Sequence, residues 1–296
     1  MVWEIEAEET RMLERGQRRF AEADDIAWMA AKALNDGTLN GEPALTLDAI
    51  RLAEQAIEKD RNCRMAWYVL SSCHTTRVFY TWTQDRLGSI AAARRAATEL
   101  MILAPGDSRS YFVRGRIETI AGDFGRGVAD LRRASQLNPN DPLVLFYLSW
   151  NEAADGNFER AKDLAAQAIR ISPKDRFIGA AYLACAMAEF IAQDFCAMRH
   201  WAELAIQANP SAPIRRVMMI VYASEAGDTT LLNLHLERLR SISPGFLPTL
   251  FRGDYLAFQR PEHMRTLLNS LHKAGLGADA TAGDGAASIP NAPFSE

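Results

Sequence analysis

Five prolines close five apolar runs at nearly one interval: "LAP" at Pro105, "LNP" at Pro139, "ISP" at Pro173, "ANP" at Pro210 and "SISP" at Pro244. The successive spacings are 34, 34, 37 and 34 residues. A second marker lies between them: "AGDF" at 121–124, "DGNF" at 155–158, "AQDF" at 192–195 and "AGDT" at 226–229. Gly122, Gly156, Gln193 and Gly227 therefore repeat intervals of 34, 37 and 34. Two independent markers in one phase define an internal repeat, and a repeat of this length cannot bury its apolar face alone.

The chemistry of each marker predicts its place. Glycine takes the left-handed conformation past a helix end at little steric cost. The Asp or Asn that follows can accept from the first free N–H groups of the next helix. The later proline cannot continue a helix and biases its predecessor away from the helical region. Each unit reads as helix, tight turn, helix, proline stop. On the second helices, Gly127, Leu131 and Ala134, then Ala161, Ala165 and Ala168, then Met198, Ala202 and Ala205 hold the same offsets. Positions i, i+4 and i+7 share one helix face, and small residues there let two helices approach closely. The first helices pair large with small: Tyr111 with Gly115, Leu145 with Ser149, Tyr182 with Ala186.

This is the pattern of the tetratricopeptide repeat (TPR), and units 108–141, 142–175, 179–212 and 213–246 resemble it. The expected fold is all-α, an α-α superhelix of about six helical hairpins. Trp67, Leu70 and Ser71 open an earlier and longer unit, with its excess at 76–85, "TRVFYTWTQD". A pair with Ala49, Ala53 and Ala56 in register precedes it, and "PEHMRTLLNSLHKAGL" suggests a last hairpin with a short second helix. The expected division is an N-terminal helix or extension at 1–23, the solenoid at 24–276 and a disordered tail at 277–296. That tail, "GADATAGDGAASIPNAPFSE", is too poor in apolar residues to offset ordering.

The order of "AIEKDRNCRMAWYVLSSCH", "YTWTQD", "PGDSRSYFVRG", "AGDFGRGVADLRRASQLNPND" and "PEHMRTLLNSLHKAGL" reaches further. It resembles the C-terminal TPR region of bacterial nucleotide-cyclase-type proteins and of winged-helix transcriptional regulators. In those proteins a cyclase or DNA-binding domain precedes the repeats. Residues 1–296 contain neither pattern, so the resemblance carries no cyclase activity to this chain. It implies a right-handed superhelix with the first helices along its concave side. The groove positions are then Tyr68, Arg109, Phe112, Arg116, Phe146, Trp150, Leu183, Met187, Phe190 and Val217, with Met65, Ser72 and Val221 beside them. These side chains either line a groove for a peptide or partner protein, or fill a tightly wound superhelix.

Little in the sequence suggests chemistry. No phosphate-binding glycine loop, nucleophile elbow or zinc motif occurs, so neither catalysis nor a cofactor is expected. His74 follows Cys73, but adjacent helical residues point about 100° apart. Cys63, Cys73, Cys185 and Cys196 form no CxxC pair and lie in apolar helical contexts, which fits a reducing, cytoplasmic setting. The start, "MVWEIEAEETRML", is acidic and has no secretory apolar region. A net charge of −4, with arginines in pairs and not in runs, argues against nucleic acid. No apolar stretch is long enough for a membrane span. The expected partner is a protein or peptide, self-association included.

Overall fold

The computed structural model describes residues 22–255 and 257–277. Fourteen helices occur among them, and no strand. They pair in sequence: α1 (Glu22–Asn40) with α2 (Pro43–Lys59), α3 (Arg64–Phe79) with α4 (Arg86–Leu103), α5 (Ser108–Ala121) with α6 (Phe124–Leu137). Then come α7 (Pro142–Ala154) with α8 (Phe158–Ile171), α9 (Gly179–Ile191) with α10 (Phe195–Ala208), and α11 (Pro213–Glu225) with α12 (Thr229–Ile242). A short α13 (Phe246–Phe251) and α14 (Pro261–Lys273) end the order. The expected extension before residue 22 and the expected tail beyond residue 277 lie outside the described residues.

The turn markers have the predicted conformation. Gly122, Gly156 and Gly227 have φ of 99°, 83° and 69°, and Gln193 keeps the same left-handed geometry at 61°. The last helical turn closes on a six-residue ring in three of these units: Asn157 N–H to Glu152 O (2.8 Å), Asp194 to Glu189 (3.0 Å) and Asp228 to Ala223 (2.9 Å). Asp123, Asp194 and Asp228 then cap the second helices by accepting from Arg126, Ala197 and Leu231 N–H. Asn157 departs from this. Its amide donates instead to Glu152 and Asp155, at 2.9 and 3.0 Å.

The small-residue seams are where the hairpins close. Ala161, Ala165 and Ala168 are fully buried, as are Met198, Ala202 and Ala205. At the α5–α6 crossing two glycines face each other. A Cβ on Gly115 would stand 2.9 Å from the Gly127 carbonyl oxygen, and one on Gly127 would meet Thr119 at 2.4 Å. Backbones at that separation exclude any side chain.

A repeating carboxylate ties hairpin to hairpin. Glu118, Glu152 and Glu189 each sit four residues before the left-handed turn. They receive Arg94 from α4 (2.6 Å), Arg132 from α6 (2.8 Å) and Lys162 from α8 (2.8 Å). Glu152 is fully buried and also takes Arg160 at 3.0 Å. Burial pushes its carboxyl up, but the hydrogen bonds from Arg132 and Asn157 and the charges of Arg132 and Arg160 outweigh that, leaving it below the usual 4.5.

Two segments depart from the regular stack. The excess in the second hairpin is spread over α3 (16 residues), the connection at 80–85 and α4 (18 residues), against 14 in each helix of the next pair. At the C-terminus the first helix of the last pair is the short one, six residues in α13, and the second is regular. The reverse was expected. Gly253 (φ 77°) ends α13, the chain turns inward, and α14 packs back on α11.

These inward segments draw the superhelix tight. Asn209, after α10, donates to the Tyr80 hydroxyl (3.2 Å), and Ser211 donates to Thr38 O (3.1 Å). The Thr81 and Ser243 hydroxyls are 2.6 Å apart. Arg176 reaches Asp36 at 3.4 Å, joining the first hairpin to the turn before α9.

Gln193→Gly should raise stability by ~0.5–1 kcal/mol, since Gln193 is exposed and holds a conformation that costs a side-chain-bearing residue 1–2 kcal/mol. Urea unfolding measures it. Glu152→Gln should cost ~1–3 kcal/mol at neutral pH. A carboxylate whose folded pKa is depressed stabilises above its unfolded value and loses that contribution as pH falls through the folded one. The wild-type advantage over Glu152→Gln should therefore shrink below pH 4.5. Paired melts between pH 7 and 3 would show it.

Candidate functional site

The first helices of four hairpins, α1, α3, α5 and α7, wall a cavity of about 250 Å³, with the 175–177 turn at its rim. Its apolar surface comes from Trp28, Met65, Tyr68, Phe112, Leu143 and Tyr147. Of the sequence-predicted groove residues, Tyr68, Arg109, Phe112 and Arg116 meet here, with Met65 and Ser72. The Arg109 guanidinium lies 5.8 Å over the Tyr68 ring. That of Arg116 lies 4.3 Å over Tyr147 and 5.5 Å over Phe112, and those two rings meet edge to face at 5.4 Å. Cations over aromatic faces keep both groups in place.

Carboxylates line the same cavity. Asp141 caps α7 by accepting from Leu143 and Val144 N–H, and Asp175 accepts from Phe177 N–H at 2.8 Å. Burial pushes both carboxyls up from their usual 3.8, against the pull of those hydrogen bonds. Asp36 pairs with Lys32 (3.0 Å) and Arg176 (3.4 Å). These acids lie outside the groove positions that the repeat predicts. A signal was present: "PGD", "PND" and "PKD" place Asp107, Asp141 and Asp175 two residues after successive repeat prolines, 34 apart.

The other predicted groove residues sit elsewhere. Phe146 turns into the seam between α7, α8 and α9, with Ala165, Ala168 and Ala181. Trp150, Leu183, Met187, Phe190 and Val217, with Val221, join one large interior cluster. The inward segments cover them. Phe79 meets Trp150 edge to face at 5.4 Å, Phe258 lies 6.0 Å from Phe190, and Tyr255 packs on Phe79 and Phe246. Gln259 N–H donates to Ala154 O at 2.8 Å, fixing the segment against α7. The C-terminal half of the concave face is thus filled by the chain itself, and the cavity belongs to the N-terminal half.

The Cys73–His74 neighbours form no nucleophilic pair. Cys73 is fully buried, and burial drives its thiol far above the usual range. Burial, with Arg77 and Arg95 nearby, lowers His74 to about 4, so a neutral imidazole stands beside a protonated thiol. Cys63 and Cys185 are likewise buried, whereas Cys196 is exposed, contrary to its apolar sequence context. Among the described residues no group of three His, Cys, Asp or Glu side chains could hold a metal ion. Nor is any of their helices long and apolar enough to cross a membrane.

No known family's model matches the chain. No curated protein matches its sequence. Solved structures do resemble it. The Cut9–Hcn1 hetero-tetramer of the APC/C aligns with a TM-score of 0.63 at 14% identity, over 92% of this chain and 50% of that one. This chain thus spans half the length of that relative. PilW, a type IV pilus biogenesis factor, aligns at 0.50 and 13% identity, over 84% of this chain and 100% of that one. The Pseudomonas aeruginosa pilF structure aligns at 0.48 and 16% identity, over 74% and 95%. At such identities the likeness is one of fold, and the fold is a TPR solenoid.

Trp150 is 7% exposed and joins the large interior cluster, with one edge on a second cavity of about 220 Å³ beside Asn151 and Tyr255, and its indole N–H has no acceptor among the described residues. Trp150→Ala should cost ~3–5 kcal/mol through the cavity it leaves. The midpoint of urea unfolding reports this directly, and wild-type stability in the variant would show that the interior does not depend on this ring.

Proposed function

We propose that this chain is a non-catalytic interaction scaffold that receives a peptide or a segment of a partner protein in the N-terminal half of its concave face. The observation that carries the reading is the cavity itself. Four successive first helices leave it between them, while the same face is packed shut further along the array. Covering its apolar wall would contribute ~25 cal/mol per Å² before the costs of association. Tyr68, Arg109, Phe112 and Arg116 are the contact residues, with Tyr147 and Phe177 added by the structure. The proposed setting is the cytoplasm, consistent with four cysteines that form no disulfide.

A second reading makes the array the sensing part of a cyclase-type or winged-helix regulator. It is supported by the sequence order that ends in "LHKAGL", a stretch that begins in α14, the helix that folds back on α11. Both readings need the cavity to contact a partner.

Photo-crosslinking in the native host tests this. A benzophenone amino acid in place of Tyr68 or Leu143 should give discrete adducts, and one in place of the exposed Leu87 should not. Equal labelling from all three positions, or none from the cavity, rejects the cavity as the contact site.

A further inference from the structure

Arg116 is 8% exposed, borders the cavity, and its Nε has no hydrogen-bond acceptor. Nor does its guanidinium form an ion pair among the described residues. What it has is the face of Tyr147 and the ring of Phe112. A buried cation without an acceptor is costly, and ring faces offset only part of that cost. Ser72, 3% exposed and lining the same cavity from α3, has a hydroxyl that is also unpartnered. Two unsatisfied polar groups, one cationic, thus share a cavity with aromatic walls.

Arg215 provides the contrast. It is as buried and its Nε is likewise unpartnered, but its Nη1 donates to Ala205 O (3.2 Å) and Asn209 O (3.0 Å), the carbonyl end of α10, whereas no nitrogen of the Arg116 side chain has an acceptor among the described residues. A helix C-terminus suits a cation. Arg116 has no such terminus.

We infer that Arg116 and Ser72 form the floor of a binding site for a small monocarboxylic acid with a flat apolar stem. Its carboxylate would accept from the guanidinium and the Ser72 hydroxyl, and its stem would lie among Phe112, Tyr147 and Tyr68. One cation and one hydroxyl match one carboxylate. Asp141 and Asp175 line the same cavity and already accept from backbone N–H groups, so they do not compete for the Arg116 and Ser72 donors. The site goes beyond the partner reading. It shares the cavity, needs no partner protein, and would let a metabolite acid compete with a bound segment.

The test uses the full chain, with the Arg116 Nε–H resonance followed by NMR and assigned with Arg116→Lys. Phenylacetate should shift that resonance saturably. Phenylacetamide, its neutral isostere, should bind at least tenfold more weakly, as expected when a charge-assisted hydrogen bond is lost. Ser72→Ala should weaken phenylacetate severalfold, and Arg116→Gln should erase the preference for acid over amide. If Arg116→Gln fails to fold, the wild-type titration and Ser72→Ala still decide. Equal binding of acid and amide overturns the carboxylate assignment, and so does silence of the resonance with both. A shift caused by the tripeptide N-acetyl-Leu-Glu-Leu-amide but not by phenylacetate overturns the small acid in favour of a peptide side chain. These outcomes are independent of the crosslinking result.

Discussion

The structure depends on how closely the two helices of a hairpin can approach. At the α5–α6 crossing the limit is reached, with Gly115 and Gly127 leaving backbone against backbone. Elsewhere alanines do the same work: Ala161, Ala165 and Ala168 on α8, Ala202 and Ala205 on α10. Thin hairpins of this kind have a flat apolar side that only another hairpin can cover. The stack follows from that geometry, since each unit completes its neighbour's core.

Electrostatics reinforces the same arrangement. The carboxylates of Glu118, Glu152 and Glu189 recur at one repeat position, and each receives a basic side chain from the preceding hairpin. Apolar packing alone tolerates some sliding of one hairpin on another. A buried carboxylate with two arginines, as at Glu152, does not, because any shift leaves a charge without its partners. The register between hairpins is therefore set by polar contacts on a scaffold that small residues make possible.

The concave face divides into two environments for a reason outside the repeat. The end of α3 with the connection after it, and the residues around Tyr255 and Phe258, both turn inward. Their aromatic residues lie against Trp150 and Phe190. The same concave strip that on α3 and α5 borders a cavity becomes interior on α9 and α11. The pair of unsatisfied groups, Arg116 and Ser72, stands on the cavity side of that boundary.

What the sequence determined alone was local and periodic. Gly122, Gly156 and Gly227 announced the turns because few other residues accept a positive φ, and Gln193 could be placed only by phase. The alanine offsets named the seams because a helix has 3.6 residues per turn. The Pro-x-Asp spacing held Asp141 and Asp175 in plain sight. What the tertiary structure decided was which inward-facing side chains would meet solvent. Tyr68 and Leu183 hold one position of the repeat, yet one borders a cavity and the other lies in the interior cluster. That difference comes from Phe79, at the end of α3, and from Tyr255 and Phe258, between α13 and α14. Their contacts join residues as distant in sequence as Phe79 and Tyr255, and a helical period carries no record of contacts at that range.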